Sequence, residues 1–215
     1  MKVLALDGAL RGFSAAVTVD AALVAVRNTG GNDALEAGLS TIAQTLRDAG
    51  IEPAQLDRLA VGVGPGGFTG LRIAISYAKS LALAWNRPLV AVSSFDILEY
   101  GRRLEQVLTI VEGRPGVISA RYRDRLHVRR ASGRTRDAFD AILPRDVPEL
   151  DVVGAAEDAL AALAERGTVV HCLEPLVTPA AAAAALVAGT RQPASSLHEV
   201  VADYGELPAA KVPKL

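Results

Sequence analysis

Residues 61–73 read Val-Gly-Val-Gly-Pro-Gly-Gly-Phe-Thr-Gly-Leu-Arg-Ile, with glycine at 62, 64, 66, 67 and 70. So dense a glycine run fits neither a helix nor a strand interior, because each glycine there forfeits backbone entropy and packing. It fits a turn in which backbones approach closely or take positive φ. Leu59 to Val63 before it is apolar enough for a covered strand. After it, apolar groups recur at helical spacing from Gly70 to Trp85, and Thr69 is placed to cap that helix. Leu71, Ile75, Ala78, Ala82 and Trp85 make one stripe, and Ile73, Tyr77, Leu81 and Ala84 a second. A helix apolar on two sides needs two covers: its own sheet and something else.

The turn formally holds G-x-G-x-x-G at Gly62, Gly64 and Gly67. A dinucleotide fingerprint should follow the first strand of a βαβ unit, with an acid about 20 residues on. Here it follows a later strand, Arg87 stands near the acid's place, and Pro65 removes an amide from any phosphate cradle. No G-K-[ST] follows, which excludes a P-loop. Gly64, Pro65, Gly66, Gly67, Phe68, Thr69 and Gly70 therefore read as a structural turn.

Around this centre the chain reads as strands at Lys2–Asp7, Ser14–Val19 and Leu23–Asn28, joined by short turns into a meander. A helix follows from Asp33, with Glu36 completing a capping box, to Asp48 and a Gly50 stop. Pro88–Val92 is a strand, and Ser93 or Ser94 caps a helix reaching about Arg103. The order βββαβαβα is that of a ribonuclease-H-like lobe. Its order partly recurs: strands at 106–112, 117–123 and 126–131, a polar proline-containing stretch over 132–149, a strand at 151–153, a helix at 155–166 and a strand at 168–172. An alanine-rich helix then starts at Thr178-Pro179, since Pro favours a first helical position. The expected fold class is α/β: two ribonuclease-H-like lobes with mixed sheets flanked by helices, as in the actin, sugar-kinase and Hsp70 (ASKHA) superfamily. Residues 1–104 form the first lobe, and 105–215 a smaller, degenerate second lobe. Residues 190–215 are read as a strap over the first lobe, or partly disordered.

The run GPGGFTGLRIAISYAKSLALAWNRPLVAVSSFDIL, Gly64 to Leu98, resembles the signature segment of the TsaB (YeaZ) family. LRDAGIEPAQLDRLAVGVG upstream and VLALDGALRGFSAAV near the start match it in spacing. That family supplies the non-catalytic paralogue of the bacterial tRNA threonylcarbamoyladenosine (t6A) machinery. The resemblance implies an accessory scaffold subunit, not an enzyme. It would form a homodimer in isolation and bind the TsaD-type catalytic paralogue, with a TsaE-type ATPase in the cycle. It would meet tRNA only through the complex. The implied interface is two helices, through Leu35, Gly38, Leu39 and Ile42 on the first and Leu71, Arg72, Ile75, Ala78, Lys79 and Ala82 on the second. No cofactor is intrinsic, and ATP or ADP would sit only at a subunit boundary.

The chain departs from the family pattern at three places. Asp7-Gly8-Ala9 replaces D-T-S/A, Ala34-Leu35 replaces a His-Ser pair, and Glu112-Gly113-Arg114-Pro115 with Ser119 stands where an acid, Ala, basic residues and a Tyr are usual.

Composition bounds the alternatives. Net charge is -1, so no global basic field gathers nucleic acid. A single Cys172 excludes an internal disulfide and suits a reducing compartment; its apolar neighbours predict an inert core thiol. With no leader and no 18-residue apolar run, a cytoplasmic protein without membrane contact is expected. A second reading is a self-sufficient ATPase or kinase using Asp7 and Glu112, which end corresponding strands and could hold magnesium on phosphates. The bland reading of both is turn capping. A third is a metallopeptidase. The paralogue's metal needs H-x-x-x-H on the first long helix, and residues 33–48 contain no His. His127, His171 and His198 lie far apart, so no metal site is expected. Arg121, Arg123 and Arg125 share strand parity and read as a solvated hairpin face, with a tRNA backbone contact the sharper alternative.

Overall fold

The computed structural model describes residues 1–10, 12–30, 34–113, 116–154, 157–189 and 191–205, and its side chains except those of 34–36, 188 and 189. The capping box predicted at Asp33 lies outside these residues.

The first lobe opens with β1 (Lys2–Asp7), β2 (Phe13–Val19) and β3 (Ala22–Thr29). Helix α1 (Ala34–Ala49), β4 (Arg58–Gly62), α2 (Phe68–Trp85), β5 (Leu89–Val92) and α3 (Ser94–Leu98) follow. The sheet runs β3-β2-β1-β4-β5. Its meander pairs are antiparallel, and β1, β4 and β5 are parallel. The second lobe repeats every element: β6 (Val107–Glu112), β7 (Val117–Arg123), β8 (Val128–Arg134), α4 (Thr135–Ile142), β9 (Glu149–Val153), α5 (Glu157–Glu165), β10 (Val169–Leu173) and α6 (Pro179–Gly189). Its strand order, β10-β9-β6-β7-β8, is the same pattern. The stretch expected to be only polar thus contains α4, and the second lobe is not degenerate in topology. The sequence also ran the third helix to about Arg103; it stops at Leu98.

Burial follows strand parity. On β1, Leu4 and Leu6 face α1 and α2 with Ile42, Leu46, Leu71, Ala74, Ile75, Ala78 and Ala82. Val3 and Ala5 face the other way, onto α6. That second face carries small residues (Ala5, Ala16, Ala60), and α6 is almost wholly alanine and buried. Small groups on both partners let helix and sheet approach closely. The exchange is reciprocal: α6, the last helix of the second lobe, covers the first sheet. Helix α3 of the first lobe sets Phe95 and Leu98 against Val107, Val111 and Val153 of the second. Helices α4 and α5 cover the remaining face of the second sheet with Phe139, Ile142 and Leu163.

Candidate functional site: the α1–α2 face and the inter-lobe crevice

The glycine turn is held by backbone packing. The amide of Gly67 donates to the carbonyl of Ala9 at 2.9 Å, and that of Ser94 to the carbonyl of Gly64 at 2.8 Å. Gly8 and Gly70 face each other so closely that a Cβ on either would run into the other's carbonyl oxygen. These contacts explain why the turn is glycine-dense. Thr69 is not the cap: α2 begins at Phe68, its N-cap is Gly67, and no side chain caps it. The Ser93 hydroxyl does cap α3, accepting from the Phe95 amide at 3.3 Å.

Asp7 ends β1 fully buried. Its Oδ1 accepts from the amides of Ala9 and Leu10, at 3.2 and 3.0 Å. Its Oδ2 lies against Gly62, where a Cβ would strike it, and has no hydrogen-bond partner among the described residues. Burial pushes the carboxyl up from its ordinary 3.8 to about 6, against the lowering pull of the two amides. Glu112, at the matching end of β6, is exposed. These residues do not fit a magnesium-bound phosphate. One acid is sealed, and the amides of Ala9 and Leu10 beside it are already engaged by it.

Arg121, Arg123 and Arg125 do not form a solvated face. Arg121 is buried and pairs with Asp96 at 2.5 Å and Glu99 at 2.8 Å, both contributed by the α3 segment of the first lobe. Arg123 reaches Glu99 at 2.9 Å and the carbonyl of Leu104 at 3.1 Å. Only Arg125, paired with Glu105, is exposed. Burial would raise Asp96, but hydrogen bonds from Arg191 and Arg121 outweigh it and hold its carboxyl below the usual range. Cys172 is exposed on the edge strand β10, not in the core. Among the described residues, no three His, Cys, Asp or Glu side chains are grouped to hold a metal, and no helix is long and apolar enough to cross a membrane.

The α1–α2 surface differs in detail from the expected interface. Ile42, Leu71, Ile75, Ala78 and Ala82 point into the lobe's own core. Gly38 is buried against Tyr77, whose Cε2 would lie 2.6 Å from a Cβ there, so its smallness serves packing within the lobe. The side chain of Leu35 lies outside the described residues. Arg72 is exposed and Lys79 half-buried. Among the described side chains of α1 and α2, the exposed large apolar groups are Leu39, 53% exposed, Phe68, 58%, and Leu83, 75%. Leu39 also lines an apolar groove of about 590 Å³ between α1 and α2, with Ala43, Leu46, Ile51, Leu81 and Trp85, whereas Leu83, two residues from both Leu81 and Trp85, projects from another side of α2. Leu83 belongs to neither apolar stripe of the helix, so periodicity does not single it out.

Two mixed five-stranded sheets of one topology, each packed by a helix of the other's lobe, define a protein of the ASKHA class. Solved structures agree: EutJ from Carboxydothermus hydrogenoformans superposes with a TM-score of 0.53 at 11% identity, covering 86% of this chain and 89% of that one. YeaZ from Pseudomonas aeruginosa superposes at 0.71 with 22% identity, covering 94% of this chain and 99% of that one. A family model described as TsaD, tRNA N6-adenosine threonylcarbamoyltransferase, matches residues 34–203. The Escherichia coli tRNA threonylcarbamoyladenosine biosynthesis protein TsaB is 30% identical over 122 residues, 55% of this chain. The chain spans 53% of that relative's length. The chain belongs to this family, on its TsaB (YeaZ) side.

Proposed function

We propose that the chain is an accessory subunit in tRNA threonylcarbamoyladenosine biosynthesis, which binds and activates a TsaD-type catalytic paralogue through the outward face of α1 and α2. The observation that carries this reading is the exposed Leu39 at the apolar groove between α1 and α2, which it lines together with Leu81 and Trp85. Apolar groups clustered this way mark an interaction surface. Family membership gives the process, and the named E. coli relative agrees with it. The same face would serve the homodimer, and a TsaE-type ATPase would act on the assembled complex. The burial of Asp7 and its hold on the Ala9 and Leu10 amides count against the alternative in which Asp7 binds a magnesium-bound nucleotide.

The test is reconstitution of threonylcarbamoyl transfer to tRNA by the catalytic paralogue and its ATPase partner, with and without this chain. The expected result is dependence on the chain, no activity from the chain alone, and loss of stimulation with Leu39→Glu. Transfer that proceeds equally without the chain would sink the reading.

A further inference from the structure

Residues 191–205 leave α6 and run across the first lobe. The Arg58 guanidinium donates to the carbonyl of Arg191 at 3.1 Å, and the Ala194 amide to the carbonyl of Leu89 at 3.0 Å. Val200 is buried in the first-lobe core. The Asp203 amide then donates to the carbonyl of Val63, just beyond β4, at 2.7 Å. The carbonyl of Asp203 fills the space that a Cβ on Gly64 would need. The Tyr204 ring packs 5.0 Å from that of Phe68, over which Arg72 also lies at 5.1 Å. Asp203 Oδ1 accepts from the Gly205 amide at 2.9 Å, which turns the chain. Gly205, at φ +71°, then rests on Ser119 and Ser132 of β7 and β8, where a side chain would collide with the Ser119 hydroxyl.

Three consecutive residues therefore pass from the end of β4 in one lobe to the meander of the other. The place they cross, outside the carboxyl end of a parallel strand, is where open α/β sheets take their ligands. The other end of the segment is bridged too: Asp96 of the first lobe accepts from Arg191 at 2.6 Å and from Arg121 of the second lobe at 2.5 Å. We infer that residues 191–205 are a clasp that fixes the opening of the two lobes and closes the crevice between them with the chain's own backbone. Two-lobed folds of this kind are suited to hinge closure around a ligand. Here a covalently attached segment already fills that place, at an effective concentration no free ligand matches. The clasp stands whether or not α1 and α2 take a partner.

The experiment uses the full chain, spin-labelled at the native exposed Cys172 in the second lobe and at Ala22→Cys on the exposed edge of the first, diluted into unlabelled chain. The inter-lobe distance distribution is measured together with amide exchange over residues 197–205. The parent should give one narrow distance. Gly205→Val, which drives a side chain into Ser119, and Tyr204→Ala, which removes the Phe68 contact, should each speed exchange of the Asp203 amide about tenfold or more and broaden the distribution. The two variants sit on the surface, so global folding, followed by circular dichroism, should be unchanged. Fast exchange in the strap with an unchanged distance distribution would overturn the inference. So would a strap that stays protected in both variants.

Discussion

The guanidinium of Arg121 and the carboxylate of Glu99 meet at 2.8 Å across the boundary between the lobes, both side chains almost fully buried. Thr109 and Arg123 complete the surroundings of Glu99. A buried pair of this kind contributes little net stability against an apolar replacement, but losing one partner leaves the other uncompensated. Arg121→Met should cost about 3 kcal/mol, at the lower end for a broken buried pair because Arg123 still faces Glu99. Urea denaturation of the variant checks this. Glu99→Gln should cost less, since Arg121 keeps Asp96.

Asp7 gives the chain an unusual acid-side profile. Its carboxyl titrates at about 6 when folded and at the ordinary 3.8 when unfolded. Between these values the folded state holds a proton that the unfolded state has released. Stability from this group is therefore fully present below pH 4, falls as pH rises to 6, and stays lower above it. The fall amounts to about 3 kcal/mol. Asp7→Asn keeps the acceptor for Ala9 and Leu10 and should remove the slope between pH 4 and 6, as read by denaturant midpoints at stepped pH.

Two leucine-sized positions on neighbouring helices should behave oppositely. Leu39→Glu, at the exposed rim of the α1–α2 groove, should leave stability within about 0.5 kcal/mol while weakening association with the partner and with a second copy. Ile75→Glu, facing the sheet, should cost more than about 4 kcal/mol through a buried unpaired charge. Thermal melts paired with analytical ultracentrifugation separate the two outcomes.

The facing glycines at 8 and 70 make a third kind of site. Gly70→Ala and Gly8→Ala each push a methyl group into a backbone carbonyl, which cannot swing aside as a side chain could. Each should cost about 3 kcal/mol. The double variant should fall further, not recover, because each methyl adds its own collision. Melting temperatures of the three variants suffice as the measurement.

The elements most legible in the sequence were those with strong period or punctuation: the meander of residues 2–29, the glycine turn, α2 and the Pro179 start of α6. Helix α4 was missed because TRDAFDAI holds only four apolar positions, two of them alanine, among charges, bracketed by Gly133 and Pro144. The direction of α2 was ambiguous for a physical reason. A helix apolar on two faces does not say which one meets the sheet, and Leu71, Ile75, Ala78 and Ala82 proved to be the inner face. Arg121 and Arg123 read as solvated because their partners, Asp96 and Glu99, lie more than 20 residues away in sequence. Cys172 read as buried from its apolar neighbours, but β10 is an edge strand and leaves it open. The strap had no periodicity to read, since backbone hydrogen bonds and single side chains hold it.

The placement of α6 also sets an order of events during synthesis. The alanine-lined face of the first sheet, with Val3, Ala5, Ala16 and Ala60, is covered by residues 179–189, which the ribosome adds only after all five strands of the second sheet. At about 5–20 residues per second, the first lobe waits several seconds with that face open. Its small side chains limit how much apolar surface is bared meanwhile. A nascent chain arrested before residue 179 should thus be recognised by chaperones as incomplete, even with every strand of both sheets already made.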